Sequence, residues 1–131
     1  MTDLLITGVR LPDGTDAQIV DLPGTYSLIS RSPDEVVAME VLRGLRKDTP
    51  QQDVVIVVVD ASNLQRNLYL VSQLIELGCR MVVALNMVDI AARRGIAVSA
   101  QELSNQLGGV PVIPVVGHKG EGIEQLKAAI S

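Results

Sequence analysis

The chain has 131 residues, 47% of them apolar, a formal net charge of -4 and a single cysteine, which is enough for one hydrophobic core without metals or disulfides. The acidic balance and the lack of any cluster of Lys and Arg argue against nucleic acid as a partner, because phosphate backbones demand grouped cations, and two Tyr as the whole aromatic content leave no base-stacking platform. The longest aliphatic run, residues 54 to 59, is far too short to cross a bilayer, and the N-terminus has no basic and apolar leader pattern, so a cytoplasmic chain without a membrane span is expected.

Leu4 to Leu11 alternates loosely, Pro12-Asp13-Gly14-Thr15 has turn chemistry and Ala17 to Leu22 alternates again, which predicts an antiparallel hairpin. It runs into Asp21-Leu22-Pro23-Gly24, and Thr25 to Arg31 is small or polar without a period, as in a loop. Ser32-Pro33-Asp34-Glu35 reads as a capped helix start, with Val36, Met39, Val41, Leu42 and Leu45 as the apolar face. Val54 to Asp60 is apolar on every side, the pattern of a central parallel strand covered by helices on both faces.

Ser62 with Gln65 predicts a capping box for a helix that turns Leu64, Leu68, Val71, Leu74 and Ile75 inward and stops at Gly78. Cys79, where that helix gives way to a strand, is expected as a structural thiol. Cys79 to Asn86 is the next buried strand and Ile90 to Gly95 a short basic helical turn. Ser99 with Glu102 repeats the capping signature ahead of Leu103 and Leu107, with a stop at Gly108-Gly109. Val110 to Val116 is the last strand and Ile123 to Ile130 the last helix. The alternation gives one α/β domain: a doubly wound sheet, mostly parallel, with right-handed crossovers and an N-terminal antiparallel hairpin.

The sharpest chemical feature is Asn86-Met87-Val88-Asp89, directly after a buried strand. Ligands of open parallel sheets sit just beyond the carboxyl ends of strands. Guanine presents two adjacent donors, the ring N–H and the exocyclic amino group, and one aspartate accepts from both, whereas adenine has no such pair. A wrong base leaves the carboxylate unpaired, a penalty of up to ~10⁴-fold. Asp89 as a plain helix cap is the structural alternative.

An Asp-x-x-Gly after one strand, a buried strand ending in Asp60 and Asn-x-x-Asp after the next follow the order of small GTPases. Val20 to Leu28, Ser32 to Glu35, Asp60-Ala61-Ser62-Asn63-Leu64-Gln65-Arg66-Asn67-Leu68-Tyr69-Leu70 and Ala84 to Asp89 closely resemble the cytosolic G domain of the ferrous iron transport protein B (FeoB) family, over nearly the whole chain. The resemblance implies that Asp21 orients a water on Mg²⁺ and that the Gly24 amide approaches the third phosphate of GTP. It assigns the base to Asn86, Met87 and Asp89, and makes Thr25, Tyr26 and Ser27 part of a switch loop. Met87 stands where many GTPases have Lys, and its thioether can lie over the base as a lysine stem would. The third base contact aligns with Val116-Gly117. Gly117 still offers an amide there, but Val116 offers no hydroxyl, which implies weak base binding. His118 reads as a loop side chain, with no proton-transfer partner in its segment.

These residues contain no Gly-x-x-x-x-Gly-Lys-Ser/Thr run, the loop that wraps nucleotide phosphates in backbone amides. Losing about four charge-assisted hydrogen bonds at about 1.5 kcal/mol each removes roughly 10⁴-fold in affinity. The expectation is therefore a truncated G domain that holds GTP, GDP and Mg²⁺ weakly and does not hydrolyse GTP alone. The sheet is expected to lack its first, central strand, so that the strand at Ala17 to Leu22 and the one at Val54 to Asp60 pair directly, part, or receive another chain. The expected partners are a guanine nucleotide, the missing N-terminal segment or the transporter's membrane domain. The reading from another class is a non-catalytic module docking on transporter subunits by its open edge. A ribosome-assembly GTPase would share the two short motifs but not Asn63 to Leu70.

Overall fold

The computed structural model describes residues 5–21, 36, 40–42 and 53–130. Strands β1 (Leu5–Arg10) and β2 (Asp16–Asp21) form an antiparallel pair whose register runs from Leu5 opposite Asp21 to Arg10 opposite Asp16. The turn between them closes through Leu11 N–H to the Thr15 carbonyl at 2.8 Å. Asp13 Oδ1 accepts the Thr15 amide at 2.9 Å, an Asx turn. Gly14 supplies the positive φ, 89°, that a side chain would resist. The hairpin therefore forms as expected, displaced by about one residue at each boundary.

The second sheet is parallel in the order β3 (Val55–Asp60), β4 (Met81–Asn86), β5 (Val112–Pro114). Helix α1 (Leu64–Glu76) joins β3 to β4. Helices α2 (Val88–Arg93) and α3 (Ala100–Gln106) follow β4, and a 3₁₀ turn (Gly117–Lys119) and α4 (Ile123–Ala129) follow β5. Val36 and Glu40 to Leu42 are also helical, with Val41 buried and Leu42 against the core.

Met81 to Leu85 are all buried, so the strand covered on both faces is β4. Its neighbour β3 turns Val57 and Val59 into the core but leaves Val58 62% exposed. An all-apolar run does not reveal which strand is central; the expectation for Val54 to Asp60 is thus corrected, since among the described residues β3 is an outer strand whose second face leaves Val58 exposed. Among the described residues no ladder joins the hairpin to β3.

Val71 and Leu74 from α1, Ala91 from α2 and Leu103 from α3 complete the core with β4. Ile75 is 40% exposed, one position outside the inward stripe. Ser99 caps α3 by accepting the Glu102 amide on Oγ at 3.2 Å. Ser62 caps nothing: its amide and hydroxyl donate to Asp60 Oδ1 at 2.8 and 2.6 Å, and the N-cap is Asn63 without a side-chain bond. A carboxylate two residues back captures both donors first. Strand β5 is three residues long, shorter than the run Val110 to Val116, because Pro111 and Pro114 have no amide for a ladder.

Candidate functional site

Three loops converge at the carboxyl end of the parallel sheet. Asp60 and Asn86 are register partners at the ends of β3 and β4. The Asn86 backbone carbonyl accepts the Ala61 amide at 2.8 Å, and its side-chain Oδ1 accepts the Gly117 amide at 3.0 Å. One asparagine thus binds the loop after β3 and the loop after β5 to its own.

The third loop is tightly folded. Val116 bridges Glu121, donating to its carbonyl at 3.0 Å and accepting its amide at 3.2 Å. Gly120 and Gly122 take φ of 73° and 82°. A Cβ on Gly122 would meet the Pro114 carbonyl oxygen at 2.2 Å, so only glycine fits there. Val116 is 2% exposed and its backbone groups are spent within the loop. The Gly117 amide is committed to Asn86, so a ligand that uses it must share or open that bond.

After Asn86 the chain makes an abrupt turn. Met87 is the N-cap of α2 in the left-handed region, φ 62° and ψ 32°, a conformation non-glycine residues seldom hold without compensation. Among the described residues it is the one non-glycine with positive φ. Met87 is 37% exposed, in keeping with a side chain available to a ligand.

Asp89 lies in the first turn of α2 and does not cap it. Its Oδ2 accepts from Arg93 Nη2 at 3.0 Å, with the Asp89 side chain 17% and Arg93 73% exposed. Its Oδ1 is buried and has no hydrogen-bond partner, an uncommon condition for a carboxylate oxygen. Partial desolvation pushes the Asp89 carboxyl up, but the Ile90 amide, the Arg93 guanidinium and the nearby His118 imidazole outweigh it and hold the group below the ordinary aspartate value. A buried acceptor, kept ionised and unpartnered, is suited to a ligand that brings its own donors.

Of the residues singled out by sequence, the structure brings together Asn86 and Gly117, with Met87, Asp89 and Val116 in the same two loops. Asp21 is exposed at the end of β2, in the other sheet. Gly24, Thr25, Tyr26 and Ser27 lie outside the described residues, as do Pro23 and Ser32 to Glu35. Sequence reasoning missed Arg93 and Gly122. The first had a readable signal, since Asp89 and Arg93 stand at i, i+4 on a helix; the second had none. A hollow of roughly 210 Å³ lined by Leu42, Asp53, Val55, Cys79 and Arg80 opens at the starts of β3 and β4, the opposite end of the sheet from Asn86.

Comparison with known proteins agrees with this architecture. The family model described as ferrous iron transport protein B matches residues 6–130. The Fe(2+) transporter FeoB of Escherichia coli (strain K12) is 51% identical over 123 residues, covering 88% of this chain and 15% of that protein. The FeoB G domain of Methanococcus jannaschii superposes with a TM-score of 0.86 at 40% identity, over 95% of this chain and 76% of that one. The cytosolic domain of the T. maritima FeoB iron transporter in its GMPPNP form gives 0.86 at 32% identity, over 97% and 48%. The chain spans about 15% of the length of the curated relatives it matches. Its α/β sheet with an antiparallel hairpin is that of small-GTPase-like G domains, and the chain belongs to the ferrous iron transport protein B family as part of its N-terminal G domain.

Proposed function

We propose that this chain is the base-recognising part of a guanine-nucleotide switch, and that in the whole transporter GTP and GDP binding here controls Fe²⁺ passage through a membrane domain. One observation carries the reading: Asp89 Oδ1 is buried, ionised and unpartnered next to the loops that Asn86 and Gly117 knit together. Guanine's ring N–H and amino group are the complementary donors. The FeoB neighbour described in a GMPPNP form supports the same ligand class. Asn86 holds the pocket's walls together, Met87 covers the base and Asp89 reads its edge. Gly117, with Val116 behind it, lines the remaining side.

Mg²⁺ would rest on Asp21 through a water, with the phosphates of the ligand completing the shell. Asp21 is exposed at the end of β2, where its carboxylate is open to a hydrated ion, and among the described residues no three His, Cys, Asp or Glu gather into a metal site. When bound, the ion neutralises phosphate charge. Gly24 is assigned to the γ-phosphate side, and the Thr25-Tyr26-Ser27 stretch to the switch loop that reports nucleotide state. No phosphate-wrapping glycine loop occurs in the 131 residues, so this chain alone is read as binding weakly and not hydrolysing GTP.

A second reading is favoured by β3, whose exposed Val58 lies on a strand with no partner on one edge among the described residues. Such an edge accepts an added strand, either the segment carrying a phosphate loop or a transporter subunit. Among the described residues no helix is long and apolar enough to cross a membrane.

Fluorescently labelled GTP is the direct test, titrated against the chain alone and with a peptide joining an apolar strand to a glycine-rich phosphate loop. Millimolar binding alone that tightens with peptide and Mg²⁺ is expected. Micromolar, Mg²⁺-dependent binding by the chain alone contradicts the disabled state, and no binding in either arm contradicts the nucleotide reading.

A further inference from the structure

We propose that Arg93 is a positioning residue for guanine: it fixes the Asp89 carboxylate through Oδ2, so that both carboxylate oxygens meet the two adjacent donors of the base. The inference rests on the guanine reading above and adds a specificity element to it.

The geometry is unequal at the two oxygens. Oδ2 is tied to Arg93 Nη2 at 3.0 Å, while Oδ1 is buried without any partner. An aspartate has a broad torsion about its carboxyl bond, and an unrestrained carboxylate would rotate to bring its orphan oxygen to water. The Arg93 bond removes that freedom. It leaves Oδ2 a second lone pair for the ligand, since each carboxylate oxygen accepts more than once. It also leaves Oδ1 where only an incoming donor can satisfy it.

The backbone keeps Arg93 on the same face. Asp89 and Arg93 are one turn apart on α2, and the turn is started by the left-handed Met87. The Arg93 side chain is 73% exposed and lies outside the hydrophobic core, so replacing it is expected to leave the fold intact. His118, from the loop after β5, is the other basic side chain acting on Asp89. It acts on the carboxylate through charge, whereas the Ile90 amide and Arg93 also act through hydrogen bonding, and the side-chain bond that holds Oδ2 comes from Arg93.

Removing Arg93 should therefore cost discrimination more than it costs general binding. A base with both donors uses the orientation of both oxygens, whereas hypoxanthine, lacking the exocyclic amino group, uses one. The expected effect is about threefold, the range of an exposed charged pair.

The test titrates ¹⁵N-labelled full chain with GDP and IDP, reading the amides of Asn86, Asp89 and Gly117, for the native protein, Arg93→Gln and Arg93→Lys. Dispersed amide spectra establish that each variant is folded. The GDP-over-IDP preference should fall about threefold in Arg93→Gln and be largely restored in Arg93→Lys. An unchanged or increased preference in Arg93→Gln overturns the role of Arg93 while leaving the guanine reading intact, and so does an equal loss for both ligands, which is bulk electrostatics. A native chain that does not distinguish GDP from IDP overturns both.

Discussion

Across 31 positions of sequence, the Asn86 side chain accepts the Gly117 amide at 3.0 Å, and this bond sets how far the loop after β5 stands from the loop after β4. Asn86→Ala should lower stability by about 1 kcal/mol, the usual worth of one such hydrogen bond. Asn86→Asp keeps an acceptor and should cost less. Urea unfolding with unchanged slope is the measurement; equal losses for the two variants would mean the bond is incidental.

Two glycines of one loop should respond unequally to alanine. A Cβ on Gly117 would find its nearest neighbour, Asn86 Oδ1, at 3.4 Å, whereas on Gly122 it would strike the Pro114 oxygen at 2.2 Å, at φ 82°. Gly117→Ala is expected to stay within about 0.5 kcal/mol of the native stability, and Gly122→Ala to lose about 2–4 kcal/mol. Thermal melts of the pair decide it.

Adjacent valines of β3 give a second contrast. Val59 is 0% exposed and Val58 62%. Val59→Ala should cost about 2 kcal/mol through lost burial and a cavity, and Val58→Thr within about 0.5 kcal/mol. If β3 docks an added strand, Val58→Thr should instead weaken the peptide's effect on the melting temperature. A large loss from Val58→Thr in the chain alone would mean that face is already covered.

The acid side of the stability curve should carry two depressed carboxyls. Asp13 is held low by its hydrogen bonds with Thr15. Asp89 is held low because the Ile90 amide, Arg93 and His118 outweigh its desolvation. A depressed folded-state value means that each contribution is complete above the ordinary aspartate value of 3.8 and is lost as pH falls through the lower folded value. Carboxyl ¹³C titration should place both midpoints below 3.8. Cys79 moves the other way: burial raises its thiol above 9.0, so stability drops as pH rises past that value, and alkylation at neutral pH should be slow.

Much of the scaffold was legible because its signals were local. Asp13 and Gly14 specified the hairpin turn, Ser99 with Glu102 specified a cap, and Gly78, Gly108 and Gly109 ended helices with positive φ. The rank of strands was not legible, since Val54 to Val59 and Met81 to Leu85 are equally apolar and only the number of neighbours distinguishes an outer strand from a central one. Ser62 misled because Asp60, two residues earlier, is the better acceptor. Within the site, Asn86 and Asp89 were readable as a spaced pair. The engagement of the Gly117 amide depends on the closure of residues 116–122, which no motif announces.

The central claim is that Asp89 reads a guanine edge, and base discrimination tests it most directly. GDP and ADP share their phosphates, so amide shifts of Asn86, Asp89 and Gly117 in the native chain and in Asp89→Ala isolate the base. GDP should move these amides at much lower concentration than ADP, and Asp89→Ala should erase the difference while retaining a dispersed spectrum. Equal responses to GDP and ADP, or a preference that survives Asp89→Ala, would contradict the account.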